Sequence, residues 1–309
     1  MADWTTADIP DQHGRTVLIT GANSGLGLAS AEALAAKGAR VLLACRNPAK
    51  GADALATVAA VATGEAPVLV ALDLADLGSV AAAAEATSGL TDHLDLLLNN
   101  AGIMAVPQAR TVDGFESQFG TNHLGHFALT GRLLPLLLAA DAPRVVTTAS
   151  NAHKFGRMHF DDLDLDHRYG KWKAYGQSKL SNLLFAFELD RKAKAAGSNL
   201  LSVAAHPGYA RTHLTTAGVE LTGQRLMGRA MALGDRLLAQ PAAAGALPQL
   251  RAATSPTVHG GQYYGPANRV EQQGPPTLVR ARPAAYDETA AARLWTVSEE
   301  RTGVSYPWA

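Results

Sequence analysis

Tyr175 and Lys179 stand four residues apart in "KAYGQSKLSN" (173–182), a stretch that reads as helix, and residues at i and i+4 of a helix are neighbours on one face. A phenol there is a proton donor beside a charge that favours its conjugate base. Free tyrosine has a pKa near ~10 and lysine near ~10.4, so an unaided Tyr175 is a poor base at neutral pH. Two unit charges ~4 Å apart interact by ~1 kcal/mol in water and ~4 kcal/mol at an effective dielectric of ~20, so a sheltered Lys179 is expected to lower the tyrosine pKa. The chemistry this suits is proton transfer to or from a substrate atom. By spacing alone, an accidental Tyr/Lys pair on a helix surface is the commoner reading, so the surrounding elements decide.

Those elements alternate. Apolar strand-like runs, "RTVLIT" (15–20), "ARVLLAC" (39–45), "PVLVALDL" (67–74), "HLDLLLNN" (93–100), "PRVVTTAS" (143–150) and "NLLSVAAHPG" (199–208), are separated by alanine-rich helical stretches, and "GGQYYG" (260–265) offers a last strand. Continuous apolar strands between helices predict a doubly wound, Rossmann-type α/β fold: a parallel sheet of about seven strands with helices on both faces. Residues 1–309 read as one domain, with a core over about 14–265, a helical excursion at about 211–240 suited to a substrate lid, and a C-terminal extension, 266–309, whose first part (266–286) is loop-like. Ser150 then sits at the end of the fifth strand, where it can meet Tyr175.

Directly after the first strand, "TGANSGLG" brings Gly21, Gly25 and Gly27 together with Asn23, Ser24 and Leu26. A strand, a glycine-rich turn and a helix let backbone N–H groups face a pyrophosphate, although such a turn taken alone is often only a tight connection. After the second strand an acidic residue would receive the ribose hydroxyls of NAD, whereas a basic one accommodates the extra phosphate of NADP. Here "ACRNPAK" supplies Arg46 and no acid from 39 to 50, which predicts NADP(H) in preference to NAD(H). Asp73, with Leu74 beside it, can receive the adenine amino group or cap a helix, a task Asp76 suits better. "NNAG" places Asn100, Ala101 and Gly102 along the groove, while Asn99 serves equally well as a tie within the sheet.

With these parts in order, the chain resembles the short-chain dehydrogenase/reductase family over roughly 14–265: "TGANSGLG", Asp73, "NNAG", "NHLGHF" (122–127), Ser150, "YGQSK" (175–179) and "HPGYART" (206–212). "LLACRNPAKG", "NHLGHFALT" and "AYGQSKLSNLLFAFEL" resemble its retinol-dehydrogenase and protochlorophyllide-reductase-like subgroup. The resemblance implies that Ser150 binds the substrate oxygen, that Lys179 also binds the cofactor ribose, and that Asn122 completes the set by holding a water linked to Lys179. A buried amide satisfying backbone groups is the alternative for Asn122. It further implies cofactor contacts from Pro207, Gly208 and Thr212. Two departures stand out: no N-terminal membrane-anchoring helix, and "TTAS" in place of paired serines.

Composition narrows the rest. Twenty-seven basic residues balance twenty-seven acidic ones, which recommends neither nucleic acid nor an anionic membrane as partner. The single cysteine, Cys45, precludes an intrachain disulfide and suggests a reducing, cytoplasmic setting. His153, His159 and His167 among Asp161, Asp162, Asp164 and Asp166 match no metal pattern and read as a solvated loop, so no metal is expected. Phe155, Trp172 and Tyr209 suit a substrate pocket or the core equally. Helices over 116–139 and 173–196 could pair copies into a homodimer or homotetramer. The expected function is NADP(H)-dependent interconversion of a small-molecule ketone or aldehyde with its alcohol, Tyr175 serving as acid/base. Rival readings are a non-catalytic NADP-binding sensor or scaffold, a carbon–carbon double-bond reductase and a nucleotide-sugar epimerase.

Overall fold

The computed structural model describes residues 3–209 and 240–308. Thr212 and the expected lid, apart from Gln240, lie outside the described residues. The apolar runs become strands β1 (Thr16–Thr20), β2 (Arg40–Cys45), β3 (Val68–Ala71), β4 (Leu96–Asn99), β5 (Arg144–Thr148), β6 (Leu201–Ala205) and β7 (Tyr263–Pro266). An eighth strand, β8 (Pro276–Leu278), pairs antiparallel with β7 at the sheet edge. The sequence reading missed it because three residues beginning with a proline carry no apolar run; an edge position tolerates the missing N–H.

Strand order is β3-β2-β1-β4-β5-β6-β7-β8, parallel from β3 through β7. The order reverses between β1 and β4, and in such sheets ligands bind beyond the carboxyl ends of the strands at that reversal. Side chains alternate across the sheet as strand geometry dictates: Val17 and Ile19 join one core cluster, Leu18 the opposite one. On the first face lie α1 (Gly25–Ala35), α2 (Pro48–Ala59) and α7 (Ala242–Thr254). The other carries α3 (Leu77–Leu90), α5 (Gly125–Leu138) and α6 (Lys171–Ala195), with α8 (Glu288–Thr302) packed over α6.

Local chemistry sets the helix starts. Asn47 accepts from the Lys50 N–H with Pro48 in the first turn of α2, and Asp76 accepts from Gly78 and Ser79 at the start of α3. The single helix expected over 116–139 is three pieces: a short turn, α4 (Ser117–Phe119), capped by Glu116, then a π-helical turn (Gly120–Leu124), then α5.

Every residue of α6 from Ala174 to Asp190 is buried within the one chain. The C-terminal extension supplies part of that cover. Trp295 of α8 meets Phe127 edge-on at 5.1 Å and stacks on Phe185 at 6.0 Å, and the Tyr306 hydroxyl donates to the Phe127 carbonyl at 2.7 Å. The 174–190 stretch of α6, part of the helix pair expected to join copies, is thus covered within the chain. No helix among the described residues is long and apolar enough to cross a membrane.

Candidate active site

The turn after β1 needs its glycines. Gly21 and Gly25 have φ of 65° and 55°, the left-handed region. A β-carbon on Gly27 would lie 2.3 Å from the Gly21 carbonyl oxygen and 2.6 Å from Asn100 Nδ2, so only glycine lets α1 begin this close to the strand ends. Ser24 at the α1 N-cap makes no side-chain capping bond, which leaves the first-turn N–H groups available to an anion. From this turn a groove of about 280 Å³ runs past Asn23, Leu26, Arg46, Asp73, Leu74 and Asn100 to Ala101, Gly102, Ile103 and Thr121.

Arg46 leaves the end of β2 with its side chain 70% exposed, its guanidinium 4.0 Å from Asp73 Oδ2. Asp73 also accepts from the Ala75 N–H at 3.0 Å, whereas Asp76 takes the helix cap, as its position predicts. Asn100 donates to the Thr20 carbonyl at 2.8 Å, while Thr20 Oγ1 receives the N–H groups of Asn100 and Ala101, both at 2.9 Å. Asn99 points the other way: fully buried, it donates to Thr130 Oγ1 at 3.0 Å and serves as the internal tie.

Tyr175, Lys179 and Ser150 converge. Ser150 closes β5; its hydroxyl accepts from the Ala152 N–H at 3.2 Å and hydrogen-bonds the Tyr175 phenol. Tyr175 and Lys179 are both buried, with Nζ 5.8 Å from the phenol ring centroid. Nζ donates to the Thr148 carbonyl at 3.0 Å, an oxygen that Asn182 Nδ2 also reaches at 3.0 Å.

One expectation is corrected here. Burial pushes the Tyr175 phenol up to about 12, with only the Ser150 hydrogen bond pulling it down, so Lys179 does not lower it below the usual tyrosine value. The reason is that the lysine shares the same poorly solvated site: burial pulls its own pKa down to about 8. Within the chain alone, Tyr175 is held as an acid.

Asn122 follows the alternative reading. Its Oδ1 accepts from the Ile103 N–H at 2.8 Å, and Nδ2 donates to the Ile103 carbonyl and Ser178 Oγ, both at 2.9 Å. The amide thus clamps the chain after Gly102 to α6, and its place in a π-helical turn is one such turns often take at functional sites. A β-carbon on Gly102 would stand 3.0 Å from Asn122 Oδ1 and 3.6 Å from Lys179 Nζ, so this glycine marks where the groove comes up against Asn122 and Lys179.

The residues 151–172 are not one solvated loop. His153 is buried, its Nδ1 2.6 Å from the Ser150 carbonyl and its Nε2 accepting from the Arg282 N–H at 3.3 Å. Asp164 accepts from the Glu116 N–H and pairs with Arg301 at 2.8 Å. Among the described residues no cluster could hold a metal ion. Phe155, Trp172 and Tyr209 are 55%, 49% and 41% exposed, which places them on the surface rather than in the core; Trp172 stands edge-on to Tyr175, ring centroids 6.2 Å apart.

Gln249 of α7 was not singled out by sequence, lying in an alanine-rich helix with no motif around it. Its buried amide donates to Ser30 Oγ of α1 at 2.7 Å and accepts from Thr148 Oγ1 at 3.1 Å, joining the glycine-turn helix to the strand end whose carbonyl holds Lys179. Gln249→Leu leaves Ser30 and Thr148 short of a partner and is expected to cost about 1–3 kcal/mol. Urea denaturation reads this, and an unchanged midpoint would count against the tie.

The sequence pattern of the short chain dehydrogenase family matches residues 15–220. Human retinol dehydrogenase 14 is 38% identical over 307 residues, covering 94% of this chain and 87% of that protein. A crystal structure of a protein from Mycobacterium paratuberculosis superposes with a TM-score of 0.82 at 44% identity, covering 99% of this chain and all of that one. Pseudomonas aeruginosa RhlG, solved in complex with NADP at its active site, has a TM-score of 0.55 at 26% identity over 67% of this chain and 76% of its own. The matching segment contains the glycine turn, the groove and the Ser150, Tyr175 and Lys179 convergence, and the chain belongs to the short-chain dehydrogenase family of nicotinamide-dependent alcohol and carbonyl oxidoreductases, in its retinol-dehydrogenase-like subgroup.

Proposed function

We propose that this protein is an NADP(H)-dependent oxidoreductase that interconverts an apolar ketone or aldehyde with its alcohol, Tyr175 acting as acid and base. The observation that carries the reading is the convergence of Ser150 with the buried Tyr175 and Lys179 beside Gly102 of the glycine-turn groove. The cradle at Gly27 fits a dinucleotide, since a β-carbon there would fill the space against Gly21. A nicotinamide cofactor bound there supplies the hydride.

The chain's own residues do the rest. The turn N–H groups and Gly102 would hold the cofactor, and Arg46 would meet the extra phosphate of NADP. Ser150 donates to the substrate oxygen and fixes its position against the phenol, steadying the negative charge that develops there. Tyr175, held as an acid by burial, delivers the proton to that oxygen. Lys179 carries a positive charge beside the developing phenolate, strongest where water is excluded. Burial of both residues keeps solvent from competing for the proton.

Phe155 and, in the first turn of the Tyr175 helix, Trp172 carry half-exposed rings, a rim suited to an apolar substrate, and the similarity to retinol dehydrogenases supports that class. Initial rates with NADPH and NADH over a panel of ketones, aldehydes, steroids and retinoids test the reading. Turnover that prefers NADPH is expected. In Arg46→Ala the KM for NADPH should rise about 10- to 100-fold, the worth of a charge-assisted contact, with little change for NADH. Equal effects on both cofactors would remove the phosphate contact from the account.

A further inference from the structure

Ser150 and the chain after β6 leave neighbouring strands: Thr148 pairs with Ala205, and the Ala149 N–H donates to the Ala205 carbonyl at 2.7 Å. Both strand ends border the place where the carbonyl meets the hydride, so their relative position sets the reaction geometry. Beyond Ala149 no sheet bond joins these two strand ends to each other among the described residues, while the His206 N–H still donates to the Tyr264 carbonyl of β7 at 2.9 Å. The loop 267–275, which closes the β7–β8 hairpin outside the segment that the family pattern matches, lies against both.

Glu271 is its point of attachment. The Glu271 carbonyl accepts from Asn151 Nδ2 at 3.0 Å, and its carboxylate pairs with Lys154 at 3.1 Å, so two bonds reach the turn that starts at Ser150. The same carboxylate oxygen lies 3.3 Å from His206 Nε2, and the adjoining Gln272 carbonyl accepts from the Tyr209 N–H at 2.9 Å, so two more reach the turn after β6. His206 has a fully buried side chain, and its Nδ1 accepts from the Gly208 N–H at 3.2 Å. The proton of a neutral ring is then on Nε2, which has no hydrogen-bond partner of good geometry among the described residues and faces the Glu271 carboxylate.

The backbone confirms that the arrangement is specified. Glu271 has φ of 53°, a conformation that disfavours residues with a β-carbon and persists where the surroundings fix it. Asn268 fixes the loop by accepting from Gln272 N–H at 2.7 Å through its side chain. A β-carbon on Gly208 would lie 2.3 Å from the Gln272 carbonyl oxygen and one on Gly265 would lie 2.0 Å from His206 Nε2, so two glycines clear the space in which loop and histidine meet.

We propose that Glu271 is a positioning residue that clamps the turn after Ser150 to the turn at 206–209, and so fixes the nicotinamide end of the cofactor against the substrate oxygen. The proposal rests on the oxidoreductase reading. The adenosine half of the cofactor would be held at the glycine turn and Arg46, beyond β1 and β2 rather than β5 and β6, and would not depend on the clamp.

The test compares native protein with Glu271→Ala and Glu271→Gln by calorimetric binding of NADPH and of 2′-phospho-ADP-ribose, which lacks the nicotinamide, alongside kcat. In the alanine variant NADPH affinity and kcat are expected to fall about 10- to 100-fold, the scale on which misplaced reacting groups are felt, while 2′-phospho-ADP-ribose binds as before. The glutamine variant should recover part of the loss, because its amide oxygen still accepts from Lys154. Unchanged NADPH affinity and kcat in the alanine variant, or equal loss of both ligands, would overturn the proposal. Native protein that binds neither ligand would instead overturn the oxidoreductase reading beneath it.

Discussion

Replacing Tyr175 with phenylalanine is expected to lower kcat by about 10²- to 10⁴-fold, the usual contribution of a placed general acid. NADPH affinity should stay near that of the native protein. The substitution removes one hydroxyl from a residue 5% exposed and leaves its ring against Trp172 in place. Stability should change little, because the Ser150 hydroxyl retains its bond from the Ala152 N–H. The pH dependence separates the roles. With the phenol at about 12, the protonated form dominates through the assayable range, so carbonyl reduction is not limited by its ionisation. Alcohol oxidation needs the phenolate, whose fraction grows as pH rises toward that value, so its rate should climb with pH. The climb should vanish in the phenylalanine variant; persistence would assign the base to another group.

Lys179→Met should separate function from stability. The lysine is 4% exposed, and burial holds its pKa at about 8 against an ordinary value of 10.5. That difference weighs about 3 kcal/mol against the charged form in the fold. Between pH 8 and 10.5 the unfolded chain binds more protons than the folded one, so native stability should rise with pH across that window. Methionine fills the same space without a charge, and the Thr148 carbonyl keeps Asn182 as its donor. The variant should therefore be more stable at neutral pH by about 1–3 kcal/mol, and its stability should no longer rise through the window. Turnover should fall at least about 100-fold for want of the cation beside the phenolate. Urea denaturation at neutral and alkaline pH reads the first effect and initial rates the second. A variant less stable than the native protein at neutral pH would show that the lysine supports the fold rather than straining it.

Much of this architecture is legible in the residues. Long apolar runs such as "RTVLIT" became strands because a sheet covered on both faces needs side chains apolar on both sides, and the strand ends delivered Gly21, Arg46 and Asn100 to one groove, with Ser150 at the same carboxyl edge of the sheet. Asp76 rather than Asp73 capped α3, as helix-start chemistry anticipates. Three features escaped for physical reasons. The π-helical turn at 120–124 depends on Asn122 reaching the backbone of Ile103, a contact 19 residues away that no local pattern encodes. The raised Tyr175 pKa follows from burial, which spacing within a helix does not reveal. The cover of α6 by Trp295 and of α5 by Tyr306 joins residues more than a hundred positions from their partners, which no local pattern encodes.

The most direct test of the central claim is deuteride transfer from NADPH labelled at the reactive nicotinamide carbon to a panel of apolar aldehydes and ketones, with the products read by mass spectrometry. The account predicts one deuterium on the carbinol carbon of at least one product, formed faster with the NADP form than with the NAD form and lost in Tyr175→Phe. Deuterium placed on a carbon–carbon bond, or no transfer by a protein that binds NADPH, would contradict it.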